Sequence, residues 1–318
     1  MPAKAQSEQQ PLLSFLIPAY NFASGVRRIV VPLLAEGRSD IEILVHDDSS
    51  DNSVGAAMHA LAGSHPCLRY VKNSPALGAV PNWNSLLRSA RGRYVILIHH
   101  DDFPLSERFA ADLLDELERK DWPDALVLTR LIYDVGRRKV IYDICNSLRR
   151  VIVNHWPAYL LRRNPIGPPS VLVVRRDQFE GYDPALQWLV DVEAYFRFLT
   201  AQERRLVFGD LTMVCSTGSS NSITTEIWGS RGEIADAELA YLETKYSRKT
   251  WGTQLRRTNL WGRFLLLLEW PMWAAVKLVS AICSAPMRFT SLPAAVADRN
   301  NSYQSEPITD DSACLKYR

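Results

Sequence analysis

Three short apolar runs, SFLIP (14–18), IEILV (41–45) and YVILI (94–98), stand out from polar surroundings in the first hundred residues. Each is rich in branched side chains and bounded by polar clusters, the pattern of strands buried on both faces of a mostly parallel sheet. Between them, apolar positions return at helical spacing around 24–36, 53–62 and 82–90, which predicts crossover helices. Pro32 inside the first predicts a kink or a late helix start. This alternation of strand and helix predicts a doubly wound α/β layer fold.

Further along, Ser106 is expected to open a charged helix, SERFAADLLDELERK. ALVLT (125–129) and SVLVV (170–174) read as strands, and the stretch 130–169 between them is only weakly periodic. A helix is expected over about 190–201, and Ser230 with Glu233 spells a capping box ahead of EIADAELAYLETKY. Between 245 and 290 the character changes. Eight basic residues face one acidic residue, Glu269, and Trp251, Trp261, Trp270 and Trp273 are interleaved with apolar runs. Glu269, Pro271 and Lys277 interrupt those runs short of the ~18 residues of a membrane span. Two readings stay open: an interfacial helix pair on an anionic membrane surface, or a helical cap with buried tryptophans. Residues after about 290 are polar and aperiodic, the pattern of a frayed tail.

Composition narrows the class. With 318 residues, 47% apolar and 23% charged, the chain has ample material for a core, which excludes disordered, collagenous and coiled-coil readings. Basic and acidic residues nearly balance, 37 against 35, so the footprint of a nucleic-acid binder is missing. The five cysteines (Cys67, Cys145, Cys215, Cys283, Cys314) are scattered, which points to a reducing compartment and against a disulfide framework or zinc site. The first fourteen residues lack an apolar signal core, so a cytoplasmic chain is expected.

In open α/β sheets, ligands bind beyond the carboxyl ends of the strands, so those ends are where chemistry is sought. The first strand runs into Pro18-Ala19-Tyr20-Asn21 without G-x-G-x-x-G, which disfavours a dinucleotide fold, and the P-loop pattern is also missing. The second runs into His46-Asp47-Asp48-Ser49-Ser50-Asp51-Asn52-Ser53. Paired carboxylates there can accept from a uracil N–H and ribose hydroxyls; the plainer reading is a solvated turn in which Asp51 or Ser53 caps a helix. The third runs into His99-His100-Asp101-Asp102, hard oxygen and borderline nitrogen donors suited to Mg²⁺ or Mn²⁺ shared with phosphate, or else a polar loop with incidental histidines.

In order and spacing these segments resemble the inverting glycosyltransferases of family 2, with the GT-A fold. Pro18-Ala19-Tyr20-Asn21 looks like the family's P-x-Y-N, and Asp47 to Ser53 like its D-D-G-S-x-D-x-S/T, with Ser49 where glycine is usual. Asn73, Gly78 and Asn82 fit its N-x-G-x-x-x-N helix start with extra spacing, and His99 to Asp102 occupies its D-x-D-D metal motif. Arg175 through Gly181-Tyr182-Asp183 is similar to the strand and loop before the family's catalytic helix. Asp191, Glu193 and Arg197 look like D-x-E-x-x-x-R on that helix. The resemblance spans roughly 14–225.

It implies a flexible N-terminus (1–13), a nucleotide-sugar half (14–105), an acceptor and catalytic-base half (106–230), a helical appendage (231–290) and a flexible tail (291–318). It also implies transfer from a nucleoside-diphosphate sugar, UDP-sugar by preference, to a hydroxyl of a saccharide or lipid-linked oligosaccharide acceptor. Asp191 would be the catalytic base, with Glu193 its nearest rival. Nucleotide contacts would come from Pro18, Ala19, Tyr20, Asn21, Asp47, Asp48, Ser49, Asn73, Gly78, Asn82 and His100. A divalent Mn²⁺ or Mg²⁺ would sit at Asp101 and His99, with Asp102, Glu193 and Arg197 near the donor sugar. Two departures stand out: His99 replaces the first aspartate of the metal motif, and Ser216-Thr217-Gly218-Ser219 lacks the histidine many members place near the diphosphate. Arg175, Arg176 or a basic residue beyond 245 are the candidate substitutes. Gln254-Leu255-Arg256-Arg257 continues into Thr258 rather than the Q-x-x-R-W of processive members, so one sugar per encounter is expected. The rivals are a nucleotide-sugar-binding scaffold subunit and, more distantly, a sugar-1-phosphate nucleotidylyltransferase.

Overall fold

The computed structural model describes residues 10–134, 139–141, 146–161, 163–201, 204–217 and 229–246. Expectations placed on 1–9, on Gly218 and Ser219, and on the basic, Trp-rich segment beyond Tyr246 and the tail lie outside the described residues. The strands are β1 (Leu13–Ala19), β2 (Ile41–Asp47), β3 (Leu68–Lys72), β4 (Tyr94–Leu97), β5 (Phe103–Pro104), β6 (Ala125–Asp134), β7 (Lys139–Ile141), β8 (Leu172–Arg175) and β9 (Val207–Thr217). The helices are α1 (Ala23–Ala35), α2 (Ser53–Ala62), α3 (Ala79–Ser89), α4 (Phe109–Arg119), α5 (Asn146–His155), α6 (Val190–Thr200) and α7 (Arg231–Lys245).

The strands form one mixed sheet in the order β3-β2-β1-β4-β8-β6-β9-β5, with β7 paired to β6. β3, β2, β1 and β4 run parallel, while β8 is antiparallel to both β4 and β6. β1 and β2 are buried along their whole length, which explains why they carry apolar side chains on both faces. Phe15 of β1 meets Phe109 of α4 with ring centroids 6.0 Å apart. Both side chains are almost fully buried, each a gain of roughly 1.5–3 kcal/mol.

The chain divides into two compact units, residues 1–130 with 166–215 and residues 131–165 with 216–318. All strand ends considered below belong to the first. Register fixes which strand ends share a rim: Ala19 lies opposite Asp47, Asp47 opposite Lys72, and Leu16 opposite Leu97. After β1 the chain adds β2 and β3 on one side, then returns to add β4 on the other. That reversal opens a crevice at the carboxyl end of β1.

Several local expectations are corrected. α1 starts at Ala23, not late, and Pro32 lies inside it. The proline removes one ladder bond, while buried Val26, Ile29, Val30, Leu33 and Leu34 keep the helix packed. α4 begins at Phe109, three residues past Ser106. Its first N–H groups are satisfied from afar: Ala110 N and Ala111 N donate to the two carboxylate oxygens of Glu36 at 2.8 and 2.9 Å. Ser230 occupies the N-cap of α7 without a side-chain cap bond, because its ψ of 3° departs from the extended geometry that aims a hydroxyl at the next turn. β3, β5 and β9 go unanticipated: β3 is an edge strand with only Leu68 fully buried, and Gly209-Asp210 interrupt the apolar run of β9.

Glu36→Ala is expected to cost about 1 kcal/mol, the usual size of a lost helix cap, lowering the denaturation midpoint while leaving the dependence on denaturant unchanged.

Candidate active site

At the end of β1, Pro18 and Ala19 are buried and Tyr20 is half exposed. Ala19 O accepts from Asp48 N at 2.9 Å, and Asn21 adopts φ of 49° so that its N–H reaches Ser49 Oγ at 2.8 Å. The Ser49 hydroxyl thus gives the serine a structural use at a position where the resemblance leads one to expect glycine. Asn21 Oδ1 in turn accepts from Ser50 N at 2.9 Å, closing the β1 and β2 loops on each other.

The two carboxylates that follow behave differently from a solvated turn. Asp47 is fully buried; it accepts from Ser49 N at 2.8 Å, Tyr70 OH at 2.8 Å and Lys72 Nζ at 3.2 Å. Lys72 also donates to the carbonyls of Ser49 and Asp51, so β3 braces the loop from beneath. Burial and the Asp47 carboxylate hold the Tyr70 phenol well above its ordinary range. Asp48 accepts from Asn73 Nδ2 at 2.7 Å, Leu77 N at 3.1 Å and Gly78 N at 2.9 Å. A carboxylate therefore faces the N-terminus of α3, the favourable end of the helix dipole. Gly78 is the N-cap of α3 with φ of 83°, a backbone that a residue with a side chain adopts only under strain. Asp51 accepts from Ser53 N and Oγ at the start of α2, the local turn foreseen as the plainer reading for that residue.

α3 joins this region to the rest of the rim through three consecutive residues. Asn82 donates to His46 O at 3.1 Å and accepts from Asn73. Trp83 packs against His99 (centroids 4.9 Å) on one side and Tyr182 (5.3 Å) on the other. Asn84 takes both backbone groups of Tyr182, donating to its carbonyl at 2.7 Å and accepting its N–H at 2.9 Å.

One imidazole nitrogen of His99 and one carboxylate oxygen each from Asp101 and Asp102 lie within 4.8 Å of one another. Asp101 and Asp102 are buried, and His99 Nε2 is buried without a hydrogen-bond partner. Burial pushes the His99 imidazole down to about 4 against the pull of Asp101, leaving a neutral lone-pair donor at neutral pH. A neutral imidazole with a ring nitrogen beside two carboxylates fits a divalent cation by donor type. The turn is held by Ser170 Oγ, which accepts His99 N at 3.0 Å, and by Arg28, whose guanidinium donates to Asp101 O at 2.8 Å and lies 4.1 Å from the centroid of the Phe103 ring. His100 meets the Phe22 ring edge-on at 5.6 Å.

Asp191 stands in the first turn of α6, half-buried, and accepts from Val192 N at 2.8 Å. Burial, with the Asp191 charge added, holds the Tyr182 and Tyr195 phenols above their ordinary range, so Asp191 lies within electrostatic reach of both. Tyr195 in turn lies within electrostatic reach of Cys215, and the buried Cys215 thiol within electrostatic reach of Asp102 and Asp101. Tyr182, within reach of the Asp191 charge, packs on Trp83, whose ring also meets His99. Glu193 is fully buried and accepts from Arg197 Nε and an Arg197 terminal nitrogen at 3.0 and 3.2 Å. Arg197 also donates to Gly181 O at 2.6 Å and to Glu180 at 3.1 Å. This pair holds the 180–181 loop to α6.

Arg175 and Arg176 lie at the other end of the sheet, which corrects their candidacy for the diphosphate. β8 runs antiparallel to β4, so Arg175 falls opposite Tyr94, at the start of β4, where it pairs with Asp124 and Asp177. Arg176 donates to Gly92 O at 2.9 Å. The Arg130 charge reaches both Cys215 and Tyr195. Sequence reasoning missed Tyr70, Lys72, Ser170 and Cys215. Only Trp83 and Asn84 carried a signal, as neighbours of Asn82 in N-W-N at a helix start.

A family model described as Glycosyl transferase family 2 matches residues 14–181, ending before α6. The chain is 27% identical over 246 residues to an uncharacterized protein of Mycobacterium tuberculosis, covering 72% of this chain and 74% of that one. It is 30% identical over 204 residues to an uncharacterized glycosyltransferase of Rickettsia prowazekii, covering 61% of this chain and 60% of that one. Among solved structures, a mannosyltransferase from Pyrobaculum calidifontis in complex with GDP-Man and Mn²⁺ matches with a TM-score of 0.57 and 18% identity, over 92% of this chain and 80% of that one. At that identity the likeness speaks for the fold.

Two outcomes follow from the packing. A Cβ at Gly25 of α1 would come within 2.2 Å of His100 O and 2.4 Å of the Phe22 ring. Gly25→Ala is therefore expected to cost about 1–3 kcal/mol by overpacking and to displace the 99–102 turn, read by denaturation and by the His99 and His100 ring resonances. His46 is buried with Nδ1 unpartnered, and burial followed by the Arg69 charge lowers its pKa. Its folded pKa lies below the unfolded value, so its contribution to stability is full above about pH 6.5 and declines as pH falls below that. Unfolding titrations of wild type and His46→Leu between pH 7.5 and 5 are expected to show a shallower pH slope in the variant.

Proposed function

The chain belongs to glycosyl transferase family 2 and is a glycosyltransferase with the GT-A fold, and from that premise we propose that it moves a sugar from a nucleoside diphosphate to an acceptor hydroxyl with inversion. What supports the reading is that α3 ties the end of β2, His99 and Tyr182 to one element through Asn82, Trp83 and Asn84, with the Asp191 charge in reach of Tyr182.

In this proposal the nucleotide lies across the ends of β1 and β2, over Tyr20, Asn21 and the 47–53 segment. Asp47, enclosed by Ser49, Tyr70 and Lys72, acts by shaping that segment, whereas Asp48 borders the Asn73–Gly78 loop at the mouth. Asp191 is the general base. It takes the proton of the acceptor hydroxyl as the oxygen forms its bond to the anomeric carbon, and the bond to phosphate breaks with its electron pair leaving on the diphosphate. Glu193 is excluded from that part by its burial against Arg197. A divalent cation held by Asp101, Asp102 and His99 would supply charge neutralisation at the departing diphosphate.

The acceptor in this reading is a saccharide, free or lipid-linked, and the basic, Trp-rich sequence 245–290 favours one presented at a membrane surface. No helix among the described residues is long and apolar enough to cross a membrane. One sugar is added per encounter, since the sequence lacks the Q-x-x-R-W of processive members.

The test has two stages. A thermal-shift panel of UDP- and GDP-sugars with Mn²⁺ identifies the donor by the stabilisation that a bound ligand gives. Asp191→Asn is then expected to lower turnover about 10²–10⁴-fold, the usual size of a lost general base, with donor affinity within roughly threefold of wild type. A parallel loss of donor binding and turnover would overturn the base assignment in favour of a structural role.

A further inference from the structure

The peptide group between Gly181 and Tyr182 is held by two helices at once. Its oxygen, Gly181 O, accepts from an Arg197 terminal nitrogen of α6 at 2.6 Å, and its N–H donates to Asn84 Oδ1 of α3 at 2.9 Å. Asn84 Nδ2 closes the grip by donating to Tyr182 O at 2.7 Å. A peptide group is planar and stiff, so partners on its two edges are fixed relative to each other. Residues 181–183 lie outside helix and strand, and the Asn84 amide takes the place of a strand partner for the backbone of Tyr182. Arg197 is itself held by two bonds to fully buried Glu193. The Tyr182 ring is almost fully buried and meets Trp83 and Phe179 edge-on, each 5.3 Å away by centroid. Gly181 adopts φ of 90°, and a Cβ there would come within 2.7 Å of Asn84 Oδ1, so the grip requires glycine at that position.

We propose that Asn84 is a positioning residue for the transfer: by fixing the Gly181–Tyr182 peptide it sets where the segment leading into α6 presents Asp191, and it does so without adding to nucleotide affinity. This rests on the reading of Asp191 as the base and adds to it a residue that the reading has not used. Asp191 follows Tyr182 by nine residues and stands in the first turn of α6, the helix that supplies Arg197. Its charge reaches the Tyr182 phenol. The Arg197 bond joins α6 to the loop, and the Asn84 bonds join the loop to α3, where Asn82 holds the end of β2. Without Asn84 the loop keeps Arg197 but loses these hydrogen bonds to α3. Misplacement of a reacting group by about 1 Å costs roughly a hundredfold in rate, so a grip of this kind is read in turnover rather than in nucleotide binding.

The full-length chain and its variants are titrated with UDP and with GDP in the presence of Mn²⁺ by calorimetry. Turnover is read as release of the nucleoside diphosphate from the nucleotide sugar that the thermal-shift panel selects, with water as acceptor. In Asn84→Leu, and in Gly181→Ala, whose methyl group displaces the Asn84 amide, kcat is expected to fall about tenfold to a hundredfold with nucleotide Kd within roughly threefold of wild type. Asn84→Asp keeps an acceptor for the Tyr182 N–H and loses the donor to its carbonyl, so its kcat is expected to fall between these and wild type. Three variants at two positions keep the outcome independent of any one of them folding. Because Asn84 acts through the base, Asn84→Leu is expected to lower the residual turnover of Asp191→Asn by less than about twofold. Losses that multiply across the two sites, a parallel loss of nucleotide affinity, or wild-type turnover in both Asn84→Leu and Gly181→Ala overturn the proposal while leaving the base assignment standing. Turnover unchanged in Asp191→Asn overturns the base assignment and this proposal with it.

Discussion

Three adjacent side chains at the start of α3 fix the geometry on which the rim depends. Consecutive residues of a helix project about 100° apart, so Asn82, Trp83 and Asn84 fan out to three different partners. Asn82 secures the end of β2 through the His46 carbonyl and Asn73, Trp83 wedges between His99 and Tyr182, and Asn84 grips the Tyr182 backbone with both ends of its amide. Asp48 closes the arrangement from below by accepting the Leu77 and Gly78 N–H groups just before the helix. Loops that are far apart in the chain, after β2, after β4 and before α6, are thereby referenced to one rigid element. Positioning of that kind is what a displacement reaction needs, since small errors of alignment cost rate steeply.

Buried carboxylates recur through this structure, and their partners separate structural use from chemistry. Glu42 is almost fully buried and receives Ser14 Oγ at 2.7 Å and the Gly92 N–H at 3.2 Å. Its ion pairs with Arg69 and Arg91 involve guanidinium groups that are 37% and 51% exposed, so screening limits them to well under about 1 kcal/mol each. The hydrogen bonds from fixed backbone and hydroxyl donors are what offset desolvation there. Glu116 follows the same logic, accepting Asp210 N at 2.6 Å and Leu211 N at 3.2 Å from β9. Asp47 belongs with these by its contacts. The imidazole of His99 does not: its buried Nε2 takes no hydrogen bond, and one of its ring nitrogens lies beside two acids.

What could be read from the chain alone follows from how local each signal is. β1, β2 and β4 announce themselves because burial on both faces demands an apolar run, and the polar residues that end them mark the rim. β3 does not, because an edge strand alternates and Leu-Arg-Tyr-Val-Lys buries one residue fully. The start of α4 is misjudged from Ser106 because its N–H groups are met by Glu36, more than seventy residues earlier. The same reason hides Tyr70 and Lys72 under Asp47, Ser170 behind His99, and Cys215 against Asp102: each contact joins residues far apart in sequence, and no local pattern encodes it. Strand direction matters equally. Arg175 and Arg176 read as available cations until β8 proves antiparallel to β4 and carries them to the opposite edge.

The choice between Asp191 and Glu193 shows how far burial can decide what spacing leaves open. Two residues apart on a helix, they point about 200° from each other, so only one can face the rim, and the sequence does not say which. The Glu193 carboxylate is fully enclosed and receives two donors from Arg197, which is itself tied to the Gly181 carbonyl. Moving a proton onto that buried carboxylate would sacrifice a charge-assisted pair in low dielectric, a cost of several kcal/mol. Asp191 is half-buried and accepts from the N–H of the next residue. Its charge reaches Tyr182 and Tyr195, both buried phenols held neutral. In the proposed mechanism that asymmetry assigns the proton to Asp191, while Glu193 and Arg197 hold the 180–181 loop to α6.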